Sequence, residues 1–224
     1  MKLGVLYSGG KDSTLALIKA QKYHEIACLI SIVSENKESY MFHTPNIDIT
    51  LLQSQALELP LVRVVTKGEK EKELEDLKKA IAEAKKRFQI EGVVTGAVRS
   101  TYQASRIQRI CHELGLWCFN PLWLKDQVEL LYEVVEKELH AIISGVFAEP
   151  LDASFLGAEI DIKMVQRLAK LAHMINPAGE GGEIETTVLD APVFKKKIEI
   201  TKSDMQYAKF SGVFDIIDAK LVTK

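Results

Sequence analysis

The sequence predicts an α/β protein: a doubly wound parallel sheet followed by a smaller α+β C-terminal domain. Three observations carry that prediction. Short runs that are apolar on nearly every residue recur through the first 124 residues, as strands do when helices cover both faces of a sheet. Segments of helical period separate those runs, and right-handed crossovers then place the helices on the sheet. Towards the C-terminus the strands follow one another without helices between them, which is the pattern of an antiparallel sheet.

Taken in order, Lys2 to Tyr7 reads as a strand, Ser8-Gly9-Gly10 as a turn, and Leu15, Leu17, Ile18 and Ala20 as the buried positions of a helix. Ile26 to Val33 and Leu59 to Val65 are the second and third strands. The segment Ser34 to Ile49 between them holds Tyr40, Met41, Phe42, His43, Thr44, Pro45 and Asn46. It is too irregular for a regular element and aromatic enough to line a site. Glu69 to Phe88 sets opposite charges three or four apart around one apolar stripe, a long solvated helix. Gly92 to Val98 returns to strand, Ser100 to Leu114 to helix and Leu116 to Phe119 to strand. Past Pro121-Leu122-Trp123 come helices at Gln127 to Leu139 and Ile162 to His173 around a strand at Ala141 to Phe147. Three strands close the chain, at Glu183 to Leu189, Lys195 to Thr201 and Val213 to Val222. The expected domains are residues 1–124 and 125–224.

Composition narrows the function. With 224 residues and 47% hydrophobic side chains the chain has material for a sizeable core, which excludes a fully disordered protein. The 29 basic and 31 acidic side chains give a formal charge of −2, so no nucleic acid partner is expected. No apolar run approaches the roughly 20 residues of a membrane span, and the first apolar run is too short for an export signal. The three cysteines, Cys28, Cys111 and Cys118, contain no Cys-x-x-Cys pair, which disfavours disulfides and thiolate zinc and fits a cytoplasmic protein. None of the five histidines is paired at metal-ligand spacing.

The first chemical signal is Ser8-Gly9-Gly10-Lys11-Asp12-Ser13, at the junction of the first strand and first helix. Backbone N–H groups and the positive helix terminus converge there on an anion. Gly9 and Gly10 permit close approach, Ser8 and Ser13 add hydroxyls, Lys11 adds charge, and Asp12 is placed to hold Mg²⁺ carried by phosphates. Neither the Walker A spacing nor the dinucleotide fingerprint is present. The segment resembles the pyrophosphate-binding loop of the N-type ATP pyrophosphatases, whose adenine nucleotide alpha hydrolase-like fold binds ATP and cleaves it to AMP and pyrophosphate.

The second signal, Gly179 to Thr186, packs Glu180, Glu183 and Glu185 around Gly181 and Gly182. Crowded carboxylates repel unless a cation or a basic substrate binds them. Together with Leu189-Asp190-Ala191-Pro192, Phe194-Lys195-Lys196-Lys197, Gly96 to Arg106 and Pro121 to Trp123, this motif is similar to that of the diphthine–ammonia ligases, over nearly the whole chain. The resemblance implies an ATP-dependent ligase acting on translation elongation factor 2 that carries diphthine. Such enzymes consume ATP and ammonium and release diphthamide, AMP and pyrophosphate by way of an acyl-adenylate. ATP and Mg²⁺ are the implied cofactors.

On that resemblance Asp12, Glu183 and Glu185 are catalytic candidates, with Glu183 or Glu185 holding and deprotonating ammonium. Gly96 joins Ser8 to Ser13 in nucleotide binding, since ligands sit beyond the carboxyl ends of parallel strands. Ser100, Tyr102, Arg106, Glu180, Gly181, Gly182, Glu183 and Thr186 are expected on the acceptor substrate. The chain departs from the pattern at Ala104, where relatives commonly carry arginine. Arg109 reads as a surface residue, and Asp161 fits a helix N-cap as well as a functional role. Free ammonium is the expected nitrogen source, and a homodimer through an apolar face of the second domain is open to the chain. Two other readings share the nucleotide loop. One is a ligase amidating another carboxylate, as in cobalamin metabolism, and the other is an ATP-binding sensor without turnover. A tRNA thiolase is disfavoured because Cys111 and Cys118 are not closely spaced in sequence.

Overall fold

A computed structural model describes residues 1–36, 45–69 and 71–224. The expected site-lining role of Tyr40 to Thr44 lies outside the described residues. Five parallel strands, β1 (Lys2–Leu6), β2 (Glu25–Ser34), β3 (Leu61–Thr66), β4 (Gly92–Val94) and β5 (Trp117–Phe119), form one sheet in the order β3-β2-β1-β4-β5. The connecting helices are α1 (Lys11–Gln21), α2 (Thr50–Leu57), α3 (Lys72–Phe88) and α4 (Thr101–Glu113). After them come α5 (Gln127–Glu136), β6 (His140–Val146), α6 (Ile162–Lys170), β7 (Ile184–Asp190), β8 (Lys197–Ala208) and β9 (Ser211–Val222). The last four strands make an antiparallel sheet in the order β7-β6-β9-β8.

Alternation along the parallel strands sends neighbouring side chains to two cores. Leu3, Val5, Leu29 and Val94 point to one buried cluster, which also contains Leu15 and Leu17 of α1 and Ile142, Ile143, Val188 and Ile198 of the antiparallel sheet. Ile30, Ile32 and Val93 point the other way, against Leu77 and Ile81 of α3 and Ile107 and Ile110 of α4. The apolar stripe of α3 is therefore covered, while its charged face carries pairs such as Arg87 with Glu83. The two sheets share the first cluster, and this brings β7 against the start of α1.

Three outlines differ from the sequence expectation. The strand expected over Gly92 to Val98 stops at Val94, and residues 95–100 instead form a loop. The Thr95 hydroxyl holds that loop by donating to Asn120 Oδ1 at 2.6 Å and accepting from the Ala97 N–H at 3.1 Å. Helix α2 announces itself weakly, because it follows a 3-10 turn at Ile47–Ile49 and begins without a capping side chain. Strands β8 and β9 run for 12 residues each, longer than expected. A two-residue turn joins them, with Lys209 and Phe210 at φ 50° and 62°, the twist that suits a tight hairpin even without glycine. Among the described residues no helix is long and apolar enough to cross a membrane.

Candidate active site

The strand order reverses direction between β1 and β4, and loops at the carboxyl ends of such strands border a crevice. Here the crevice is a cleft of about 640 Å³, in the range of small-molecule sites. Three loops enclose it: residues 8–13 after β1, residues 95–100 after β4, and residues 178–186 leading into β7. Leu6, Tyr7, Ile30, Ile32 and Ile107 give one end apolar walls, and Lys11, Asp12, Ser13, Glu180 and Glu185 give the other a charged lining.

The phosphate-type loop is built from backbone packed on backbone. Gly10 N-caps α1 without a side-chain bond, and its carbonyl accepts from the Ser13 hydroxyl at 3.1 Å and the Thr14 hydroxyl at 2.9 Å. Gly9 has φ 81°, a conformation that side chains rarely adopt, and its carbonyl accepts from the Val188 N–H at 2.9 Å. A Cβ on Gly96 would stand 2.8 Å from the Ser13 nitrogen, so glycine is what lets the β4 loop touch the first turn of α1. Ser8 and Ser13 place their hydroxyls 3.4 Å apart at the mouth.

Residues from the second sheet complete this loop. The Lys11 N–H donates to Thr186 Oγ1 at 3.1 Å, and a Cβ on Gly10 would meet the Thr186 carbonyl at 3.1 Å. Lys11 itself is only 2% exposed. Its Nζ donates to the Ala178 carbonyl at 2.5 Å and to Asp12 Oδ2 at 2.8 Å, while Asp12 Oδ1 is buried without a hydrogen-bond partner among the described residues.

The three glutamates of the acidic loop have different surroundings. Glu180 Oε2 accepts from the Arg99 N–H at 3.0 Å, tying the β4 loop to the acidic one. Burial and the neighbouring Asp12 raise its pKa, against the pull of Lys11 and the Arg99 N–H. Glu183 accepts from the Asn176 N–H at 3.1 Å, from Asn176 Nδ2 at 2.6 Å and from the Gly181 N–H at 2.8 Å. Glu185 lines the cleft, and burial pushes its carboxyl up to about 7, with Asp12 and Glu180 adding repulsion and Lys11 opposing.

Several expected site residues therefore take different places. Glu183 does not line the cleft, and with its oxygens held by three N–H donors it fastens the loop rather than facing a substrate. Gly181 provides one of those donors, and a side chain there would collide with the Glu183 carboxyl. Gly182 has φ 86° at the cleft edge. Ser100 lines the cleft and caps α4 by accepting from the Gln103 N–H at 3.3 Å. Tyr102 and Arg106 are one helical face removed. Both bond to Glu71 Oε1, at 3.1 and 2.7 Å, and the guanidinium stacks 3.5 Å from the Tyr102 ring centre, so neither lines the cleft. Gln103 and Ile107 take that position instead. Arg109 is an exposed partner of Glu113, and Asp161 N-caps α6 by accepting from the Met164 N–H at 2.7 Å.

Two contributors carried no motif. Gln53 on α2 is buried, and its Nε2 donates to the carbonyls of Gly9 at 2.9 Å and Val188 at 2.7 Å, stitching the two sheets at the site. Gln127 donates to Asn176 Oδ1 at 2.8 Å and accepts from the Ala178 N–H at 3.2 Å, which fixes the carbonyl that Lys11 binds. A polar residue at a buried helix position is the sole trace either leaves in the sequence. Cys111 of α4 and Cys118 of β5 pack in the same apolar cluster. They lie in the core behind the sheet and do not line the cleft, so their distance from the site, rather than their spacing in sequence, is what sets them apart from it.

Comparison with known proteins follows the same geography. The family model for the diphthamide synthase N-terminal domain matches residues 1–118, and that for the C-terminal domain matches residues 126–222. The diphthine–ammonia ligase of Schizosaccharomyces pombe is 35% identical over 225 residues, covering 92% of this chain and 37% of its own length. That of Mus musculus is 32% identical, covering 91% of this chain and 84% of its own. Among solved structures, a predicted subunit of a tRNA methyltransferase from Methanocaldococcus jannaschii is similar at a TM-score of 0.43 and 18% identity, over 86% of this chain and 98% of its own. The phosphate-type loop and the acidic loop both fall within the matched residues, and the chain belongs to the diphthamide synthase family.

Proposed function

We propose that this chain is an ATP-dependent ligase that amidates the diphthine carboxylate of translation elongation factor 2 with ammonium. The observation that carries the reading is the cleft shared by an anion-binding loop and by Glu185, a carboxyl raised to about 7. The division of labour proposed is ATP on residues 1–124 and acceptor on residues 125–224, in a cytoplasmic enzyme.

A carboxylate resists nucleophiles because it is already negative. Transfer of the AMP moiety of ATP to one of its oxygens gives an acyl-adenylate and releases pyrophosphate. The first turn of α1, Ser8 and Ser13 stabilise the charge developing on the departing pyrophosphate. The unpartnered Asp12 Oδ1 suits a hard cation, so Asp12 would hold Mg²⁺, which neutralises phosphate charge. Ammonium has no lone pair until it loses a proton, and a carboxyl titrating near neutrality is a competent acceptor for it. Glu185 takes that proton, ammonia attacks the acyl carbon, the carbon–oxygen bond to AMP breaks, and the nitrogen gives up its surplus proton to solvent or to the departing AMP phosphate. Glu180 holds the cation beside it, while Glu183 keeps the loop in shape.

The test is release of AMP and pyrophosphate from ATP with ammonium, comparing elongation factor 2 that carries diphthine with the same protein lacking it. Release that requires diphthine, with amide formation read by mass, is the expected result. Nucleotide binding without release on either protein would sink the reading.

A further inference from the structure

Lys11 occupies a position that its place in the sequence does not explain. It begins α1 in the loop built to receive phosphate, yet its ammonium group is turned to the Ala178 carbonyl and Asp12 Oδ2, with almost no exposure. The Asp12 carboxylate holds it, and the carboxyls of Glu180 and Glu185 line the same cleft, where the charge of Lys11 opposes their raised pKa values. An amine nitrogen with its tetrahedral set of N–H donors, held by one carbonyl and one carboxylate oxygen in a cleft that two further carboxyls line, has the parts of an ammonium site. The protein's own amine fills it.

We propose that Lys11 is a built-in stand-in for the ammonium substrate, which leaves the acidic pocket for the phosphates when ATP binds and so opens that pocket only on the nucleotide-loaded protein. The inference rests on the ligase reading above and adds an order of binding to it. A lysine suits the exchange, because its flexible four-carbon stem lets the head group move without moving the backbone, while the N–H of Lys11 stays fixed on Thr186 Oγ1. The polyphosphate supplies the competing anion. Once the Lys11 amine has left, Asp12 is taken up by Mg²⁺ while the Ala178 carbonyl and the glutamate carboxyls of the cleft are without their ammonium group, and free ammonium restores the same donors. The Ala178 carbonyl is held in place by Gln127, which accepts from the Ala178 N–H, so the pocket keeps its shape when the occupant changes. Ammonia is then delivered only where an activated acceptor can form.

Binding of ¹⁵N-ammonium, read as saturable broadening of its resonance with sodium chloride holding ionic strength, tests this. Four arms are needed: wild type and Lys11→Met, each with and without Mg²⁺ and an ATP analogue bridged by methylene between the α and β phosphorus. Wild type is expected to bind ammonium at least tenfold more tightly with the analogue, and by linkage the analogue at least tenfold more tightly with ammonium. Lys11→Met is expected to bind ammonium without the analogue at least tenfold more tightly than wild type does. Equal affinities of the two proteins without the analogue would overturn the proposal, while binding by nucleotide-loaded wild type would still uphold the ligase reading. No saturable ammonium binding in any arm would overturn both. If Lys11→Met does not fold, Lys11→Gln takes its place, since its amide keeps a donor for the Ala178 carbonyl while removing the charge.

Discussion

The two loops that meet in the cleft are made of opposite materials. The one at residues 8–13 binds through backbone, with glycines that bring main chain against main chain and one buried lysine. The one at residues 178–186 works through side-chain carboxyls whose roles are divided by surroundings alone. Glu183 and Glu185 are two residues apart, Glu183 in the bend before β7 and Glu185 within the strand. One is nonetheless saturated by N–H donors, and the other is held in the cleft by none of the described donors. Identical side chains take different places because one is tied into its loop by hydrogen bonds and the other lines the cleft without a donor among the described residues, where burial raises its pKa.

The largest effect should come from the backbone-built loop. Asp12→Asn keeps the shape and removes the charge, and ATP conversion to AMP is expected to fall roughly 10³-fold, as losses of transition-state charge stabilisation do. Steady-state turnover measures it. Retention of more than a tenth of the activity would mean that the loop alone suffices.

Next comes Glu185→Gln, which should slow amide formation about 10²-fold while leaving nucleotide binding in place. It also has a stability signature. The folded carboxyl titrates near 7 against an ordinary value near 4.5, so between those pH values the folded state holds a proton that the unfolded chain has lost. Stability is therefore full below about 4.5, falls as pH rises towards 7 and is flat beyond. The ionised form costs the fold at most about 3 kcal/mol. Glu185→Gln should be the more stable protein at pH 8, and urea midpoints at pH 5 and pH 8 check this.

Glu183→Gln sharpens the contrast, since it replaces one acceptor oxygen by a donor facing N–H groups. A loss of about 1.5–3 kcal/mol is expected, with adenylation and amide formation declining together. Selective loss of amide formation would return Glu183 to the chemistry. The smallest effect is at two glycines of the same loop with similar φ, 83° at Gly179 and 86° at Gly182. Alanine at Gly182 meets nothing within 4 Å and should cost about 1 kcal/mol of backbone strain, whereas alanine at Gly179 runs into the Ile184 carbonyl and should cost clearly more. Thermal midpoints of the two variants decide it.

Much of this was legible in the sequence. Apolar runs such as Lys2–Leu6 and Glu25–Ser34 gave the parallel strands, because burial on both faces leaves no polar position. Ser8 to Ser13 pointed to the turn from β1 into α1, where Ser8, Gly10, Lys11, Asp12 and Ser13 do line the cleft, and the anion site read from their paired glycines, hydroxyls and lysine is part of the proposal. Tyr102 and Arg106 read as substrate residues and instead share Glu71, because spacing on a helix fixes a common face and not the direction in which it looks. Gln53 gave no sign, as its partners are main-chain carbonyls 44 and 135 residues away.

By itself the sequence determined the strands, most of the helices and the two loops, for these follow from local periodicity and from residues with special backbone freedom, whereas α2 was not among the elements it predicted. Tertiary structure decided which carboxyl is free, where the lysine points and which helix face meets the cleft. Hydrogen bonding and desolvation depend on atoms brought together by the fold, from far along the chain for Ala178 at Lys11 and Arg99 at Glu180 and by the turn of the loop for Asn176 at Glu183. A glutamate carries the same letter in each case, and only its neighbours in space set the energy of its charge.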